Sequence, residues 1–351
     1  MIGRRTRALI AASVTVLLTA IFSAMATRAA DPLPALGAKL AETSVSGLSS
    51  GAYMAGQFHL AHADIVLGAG IVAGGPWGCA STTWSWFLFG PYAAAANARQ
   101  ALDGCMDDIL GPPDAPALVR RVERAAGRGD IAPLAAIRRQ RVYLFTGGAD
   151  KTVRSSIVRA AADFYRGLGL PAAHIRLVER TDAGHAFLTE DGPLACGATQ
   201  PPYVEDCDYD QAGAILAHLL GTLEPARAPA GQWRRFRQHP DAPAAASFAP
   251  EGSLYVPPDC ANRGGCRVHV VFHGCRQNTE AVGTAFTRGS GFDRWADANR
   301  LILLFPEVTV STLNPRGCWD WWGYAARDFL TRDAPQIKAV RRMLDRLASA
   351  P

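Results

Sequence analysis

Apolar positions in this chain fall mostly in short continuous runs, and several of these runs are closed by small or turn-forming residues. Ile65 to Ala73 stops at Gly74-Gly75-Pro76, Arg141 to Thr146 at Gly147-Gly148-Ala149-Asp150, and Val268 to Phe272 at His273-Gly274. Runs of this length, rich in β-branched and aromatic residues, predict strands buried on both faces. Leu40 to Val45, Ile175 to Glu179, Ser253 to Val256 and Leu301 to Phe305 read as further strands. Helices are predicted after Ser49, with Tyr53, Met54, Phe58 and Leu60 available for burial, and over Thr152 to Gly167 and about Gln211 to Leu223. Two more are predicted near Phe292 to Asn299 and over about Ala334 to Leu347, the latter with Arg341 and Arg342 on its solvated side. Strand, helix, strand between Arg141 and Glu179 is the βαβ unit of a parallel sheet. The fold class that follows is α/β, a mostly parallel central sheet flanked by helices.

Two stretches break this rhythm. From Cys79 to about Ala136 the pattern is irregular, with Trp84 and Trp86 followed by Ala- and Arg-rich helical stretches, and reads as an insertion or cap. Glu224 to Pro250 is rich in Pro and Ala and reads as a connector carrying a short element at Trp233 to Phe236. It divides residues 31–223 from 251–351 within one expected domain, 31–351.

Residues 1–30 read as a secretory signal, in which Arg4, Arg5 and Arg7 precede the apolar stretch Ala8 to Ala24. A membrane anchor is the competing reading, and the run is only marginally long enough to span. Removing residues 1–30 takes away Arg4, Arg5, Arg7 and Arg28 and no acid, so the formal charge falls from +5 by four to +1. A nearly neutral chain carries no electrostatic footprint for nucleic acid or a membrane surface. All eight cysteines, Cys79, Cys105, Cys196, Cys207, Cys260, Cys266, Cys275 and Cys318, follow the signal, which argues for disulfides in a secreted protein, periplasmic or extracellular. Zinc is the alternative, but no C-x-x-C or close His/Cys pair has ligand spacing, so no metal is expected. Neighbour pairing of 79 with 105, 196 with 207 and 260 with 266 would leave 275 with 318; spacing alone does not fix the connectivity.

Gly47-Leu48-Ser49-Ser50-Gly51 is a G-x-S-x-G box on a predicted strand-to-helix turn, the setting of a nucleophile elbow. Serine is a poor nucleophile unless a base takes its proton and a third group orients that base. Asp150 ends one strand and His185 follows the next, in the chain order that elbow serines use. Asp182, three residues from His185, is the rival acid, while His59, His62, His174 and His269 read as structural or solvent-facing. Only Ser49 stands at the centre of the box, which sets Ser46 and Ser50 aside. Acyl transfer also needs two N–H donors for the oxygen that becomes negative. The Ser50 amide is the first choice and the Cys275 amide the second, since Phe272-His273-Gly274-Cys275 follows a buried strand as an oxyanion loop does. That loop ordinarily precedes the serine. Here it comes far downstream, as expected of a hydrolase permuted around an unchanged site. A bond from Cys275 to Cys318 would bring Trp319, Trp321, Trp322 and Tyr324 beside the serine, and such a run cannot all point inward.

Taken together, Ser46 to Tyr53, Gly147 to Asp150, Ala183 to Phe187, Val271 to Cys275 and Gly317 to Gly323 resemble the secreted poly(3-hydroxybutyrate) depolymerases whose catalytic domain is a circularly permuted α/β-hydrolase. The resemblance runs over most of the chain after the signal. It implies Ser49 as nucleophile, His185 as base and acid, Asp150 as its partner, and the Ser50 and Cys275 amides as oxyanion donors. It further implies a tryptophan among Trp319, Trp321 and Trp322 against a hydroxybutyrate unit, a polyester or its oligomers as substrate, no cofactor and a monomer. The chain lacks the linker and separate binding domain of many extracellular members, which points towards amorphous polymer or soluble oligomers. Aryl or feruloyl esters, or another polyester, are the alternative substrates, and a silent polymer-binding protein is the alternative of another class.

Overall fold

The computed structural model describes residues 30–82, 88, 91–238 and 246–351. The expected signal lies outside the described residues except for residue 30, and so do Trp84 and Trp86. From Thr43 onward the strands of the main sheet are β1 (Thr43–Leu48), β2 (Val66–Val72), β3 (Arg141–Gly147), β4 (Ile175–Arg180), β5 (Gln232–Arg237), β6 (Glu251–Val256), β7 (Arg267–Phe272) and β8 (Leu301–Phe305). In space they run β5-β6-β8-β7-β1-β2-β3-β4. All neighbours from β8 to β4 are parallel, while β6 pairs antiparallel with both β5 and β8.

That order is a permuted α/β-hydrolase sheet. β1, which enters the elbow, lies between β2 and β7, so a strand from late in the chain sits beside the earliest strand of this set. The register sets Phe272 opposite Gly47, bringing His273 level with the elbow. Parallel strands leave their loops at one edge of the sheet, where ligands of open α/β sheets bind.

The helices of ten or more residues are α1 (Ser50–Ala61), α2 (Pro91–Cys105), α3 (Ala115–Arg128), α4 (Ser155–Gly167), α5 (Gln211–Leu220) and α6 (Pro335–Ala348), with shorter ones between β6 and β8. Every residue of α1 is buried. Its Ala, Gly, Met and Phe positions pack on β1, β2 and β7 while α6 covers its outer side. A helix enclosed in this way shows no amphipathic stripe, and its packing rather than periodicity holds it in place. The cap is largely helical, with α2 fastened to the β2 loop by the Cys79–Cys105 disulfide and α3 capped by Asp114, whose carboxylate accepts the Ala117 N–H at 2.9 Å.

Four expectations need adjustment. Leu40–Glu42 is a 3-10 turn, so β1 starts at Thr43 and carries three buried hydroxyl residues, Thr43, Ser44 and Ser46. The Thr43 hydroxyl donates to the Leu40 carbonyl, and both serines bond His269 of β7, one to each ring nitrogen at 2.8 Å. The expected connector contributes a six-residue strand, β5, which pairs along the whole of β6. The helix expected near Phe292 to Asn299 shortens to Asp293–Ala296, and α4 starts at Ser155 rather than Thr152. Within α6, Arg341 is half-buried and Arg342 exposed.

Burial of histidines sets an acid limit on this fold. His269 is held down to about 3 and His59 to about 4, in both cases because burial penalises the charged ring. Both are neutral in the fold and take up protons near the ordinary value of about 6.5 once unfolded, so their contribution is complete above that pH and is lost as pH falls below it. At about pH 5 each costs about 2 kcal/mol. Asp320 acts in the opposite sense: burial lifts its carboxyl to about 6 despite four backbone N–H donors, which favours the fold at low pH. It offsets about 1 kcal/mol of the loss between about pH 7 and 5. His62, buried and likewise held down to about 4, adds about 2 kcal/mol in the same sense, so urea unfolding is expected to show a net decrease of about 5 kcal/mol over that interval. A stability unchanged or higher at pH 5 would contradict neutral, buried His59, His62 and His269.

Candidate active site

The elbow is built by close approach. Ser49 has φ 56° and ψ −119°, a strained left-handed conformation for a residue with a side chain. Its N–H donates to the Val72 carbonyl at 2.9 Å, and its own carbonyl accepts from Ala52 and Tyr53. The flanking glycines are required by space: a Cβ on Gly47 would lie 2.4 Å from Gly51 backbone atoms, and one on Gly51 would lie 2.2 Å from the Phe272 carbonyl oxygen. The G-x-S-x-G spacing thus lets the turn nest against the end of β7. Ser49 is left half-buried, with no side-chain capping bond to its own helix.

Asp150 and His185 meet, with Asp150 Oδ2 2.8 Å from His185 Nδ1 and both side chains buried. The second carboxylate oxygen accepts the N–H groups of Thr152 at 2.7 Å and Val153 at 2.9 Å, which fixes the plane of the carboxylate. A carboxylate at Nδ1 keeps the proton there and leaves Nε2 as the ring nitrogen able to accept one. Asp182, the rival acid, instead forms an exposed pair with Arg180 at 3.1 Å.

The loop carrying His185 is held by residues the sequence did not single out. Glu205, fully buried, accepts three backbone N–H groups: Gly184 at 3.2 Å, Gly197 at 2.7 Å and Thr199 at 2.8 Å. The Thr199 hydroxyl then accepts the His185 N–H at 2.9 Å. The Cys196–Cys207 disulfide closes the same loop. Cys196, Glu205 and Cys207 are also the one cluster of metal-ligating residue types among the described residues. With both sulfurs in a disulfide and the carboxylate committed to three amides, they do not form a thiolate metal site. No local pattern around a single Glu in the three-residue strand Val204–Asp206 would have revealed this role.

At the other side of the elbow, Cys275 and Cys318 are joined, and the remaining disulfide is Cys260–Cys266. Among the described residues neither the Ser50 nor the Cys275 amide donates to another protein group. The imidazole of His273 lies buried behind this loop. It accepts the Val308 N–H at Nε2, 3.1 Å, which leaves Nδ1 to donate to the Gly274 carbonyl at 2.8 Å.

The tryptophan run divides. Trp319 is completely buried, edge-on to Phe272 at 5.0 Å and to Phe248 at 5.9 Å, so it is core, which corrects its expected place among the substrate-contacting residues. Trp321 is buried and stacked on Tyr53, with centroids 4.1 Å apart and planes 11° from parallel. Trp322 is half-buried and touches Trp321 edge-on, leaving it the most accessible of the three. Asp320 organises the turn by accepting N–H groups from Gly323, Tyr324, Ala325 and Ala326.

No protein-family model matches the chain. A poly(3-hydroxybutyrate) depolymerase of Delftia acidovorans is 37% identical over 92% of the chain, which spans 62% of that relative's length. A polyhydroxybutyrate depolymerase of Talaromyces funiculosus is 32% identical over 84% of the chain and 86% of its own length. The chain belongs to the polyhydroxybutyrate depolymerase family. The crystal structure of the PHB depolymerase from Penicillium funiculosum superposes with a TM-score of 0.79 at 29% identity, covering 90% of this chain and 98% of that one. A PHB depolymerase variant complexed with an R3HB trimer gives the same values. Within this depolymerase-family chain the four disulfides fit folding in an oxidising compartment, and no helix among the described residues is long and apolar enough to cross a membrane.

Proposed function

We propose that this chain is a secreted serine esterase that hydrolyses ester bonds of poly(3-hydroxybutyrate), or a related polyhydroxyalkanoate, and of its oligomers. The observation that carries the reading is the buried Asp150–His185 pair on the strand-end side that also bears the Ser49 elbow. Family membership and the relative complexed with an R3HB trimer supply the substrate class. In the mechanism, His185 Nε2 takes the Ser49 proton as Oγ attacks the ester carbonyl. The Ser50 and Cys275 amides bind the oxygen that becomes negative. His185 then returns the proton to the departing hydroxyl, leaving an acyl-Ser49 ester, and activates the water that hydrolyses it. No step calls for a cofactor or metal. Trp322, as the accessible indole, is assigned to the hydroxybutyrate chain, with Trp321 forming the floor behind it.

Residues 31–351 are taken as one monomeric catalytic domain, with 31–223 supplying nucleophile, acid and base, 224–250 linking, and 251–351 supplying the oxyanion loop. Secretion, to the periplasm or beyond it, and action on polymer or on soluble oligomers belong to the same proposal. Its test compares amorphous poly(3-hydroxybutyrate), its short oligomers and small aryl esters as substrates for the chain without residues 1–30. Release of 3-hydroxybutyrate units from polymer or oligomers is the expected result. Efficient aryl-ester cleavage with no hydroxybutyrate release would instead favour an aryl or feruloyl esterase.

A further inference from the structure

We infer that Gln277 is a positioning residue that ties the aim of the Cys275 amide to the wall beside His185, and so couples the two halves of the permuted site. The inference rests on the esterase reading above. Gln277 is only 1% exposed, yet its amide group is fully engaged. Oε1 accepts the Gly274 N–H at 2.7 Å, while Nε2 donates to the Pro202 carbonyl at 3.0 Å and the Tyr203 carbonyl at 3.2 Å. The first contact belongs to the loop after β7. The other two belong to a segment some seventy residues earlier, where the Tyr203 ring stands edge-on to His185 at 6.4 Å and 82°.

The peptide joining Gly274 to Cys275 explains why this matters. Its carbonyl accepts from His273 Nδ1 at 2.8 Å and from the Gln277 backbone N–H at 3.3 Å. In a trans peptide the N–H points away from the C=O. Two donors on the Gly274 oxygen therefore turn the Cys275 N–H outward, and the grip of Oε1 on the preceding N–H resists rotation of the neighbouring peptide. Flipping the Gly274–Cys275 peptide would withdraw the oxyanion donor without disturbing any side chain of the Asp150–His185 pair. The same Gln277 amide group bonds the Tyr203 carbonyl, which also accepts the Phe187 N–H at 2.9 Å. Movement of one loop is thereby felt by the other.

Two variants test this on a soluble chromogenic ester. Gln277→Met keeps the length and burial but removes every side-chain bond; kcat is expected to fall about 10- to 100-fold with KM within about two-fold, because the misaimed Cys275 donor acts in the transition state. Gln277→Glu keeps the acceptor for Gly274, and its neutral form can still donate to one carbonyl. Burial against two carbonyl oxygens raises its pKa. Its kcat is therefore expected to be near wild type at about pH 6 and to drop about ten-fold or more by about pH 9, through an ionisation absent from wild type. Near-UV circular dichroism follows folding in the same samples. The proposal is overturned if the folded Glu variant follows the wild-type pH profile, if it is inactive at pH 6, or if activity and tertiary signal are lost together at pH 9. A folded Met variant with wild-type kcat overturns it too. Wild-type protein that cleaves no ester would overturn the esterase reading and this inference with it, whereas wild-type turnover with indifferent variants sinks this inference alone.

Discussion

Ser49→Ala is expected to lower ester turnover by about 10,000-fold or more while leaving the protein folded. The side chain at this position makes no capping bond, and the strained turn is held by backbone contacts that alanine retains, namely the Ser49 N–H to Val72 and the carbonyl to Ala52 and Tyr53. The change in unfolding free energy should stay within about 1 kcal/mol. Rates on a soluble ester, read beside a thermal melt, check both parts. A folded variant with substantial activity would remove Ser49 from the mechanism. Loss of activity together with the melt would show only that the elbow is structural.

Asp150→Asn is the second large effect, with an expected loss of about 10,000-fold in kcat and little change in stability. Oδ1 is held by the Thr152 and Val153 amides, so the asparagine oxygen stays there and its NH2 group takes the position facing His185. That group donates to Nδ1 and drives the ring proton to Nε2, the nitrogen that must accept from serine. Asp182→Asn, by contrast, should change kcat by no more than about two-fold, because Asp182 is exposed and its ion pair is with Arg180 rather than His185. Steady-state kinetics on the two variants decide between the acids. Equal losses, or a larger loss for Asp182, would contradict the assignment.

Much of this architecture could be read from the chain because its decisive residues sit at the ends of apolar runs. Asp150 after β3, His185 after β4 and His273-Gly274-Cys275 after β7 all follow from where hydrophobic stretches stop. The reversed order of the motifs then pointed to the permuted sheet, with β7 beside β1. What escaped has a physical reason in each case. The sequence predicts a short element at Trp233 to Phe236 but not its type: β5, Gln-Trp-Arg-Arg-Phe-Arg, spaces its apolar residues by three instead of two, so no strand alternation is visible, and its pairing with β6 defines it. The strand expected over Leu40 to Val45 begins too early and ends too soon: Leu40–Glu42 closes a 3-10 turn, while β1 runs on through polar Ser46 to Leu48 because Ser44 and Ser46 are satisfied inside the sheet by His269. Trp319 could not be separated from Trp321 and Trp322, since consecutive tryptophans carry no periodicity and their exposure is set by the Asp320 turn. Glu205 and Gln277 bond backbone groups rather than other side chains, some near in sequence and some far, and backbone partners leave no residue-type pattern to detect.

The central claim is that a 3-hydroxybutyryl group passes from the ester oxygen of the substrate to Ser49 Oγ, with release of the hydroxyl leaving group, and then to water. Rapid acid quench during turnover of a 3-hydroxybutyrate oligomer, followed by peptide mass spectrometry, tests it most directly. The account predicts a 3-hydroxybutyryl ester on the peptide containing Ser49, found at that residue and absent from Ser49→Ala. Oligomer turnover with acyl groups on a different residue, or unimpaired in Ser49→Ala, would contradict it.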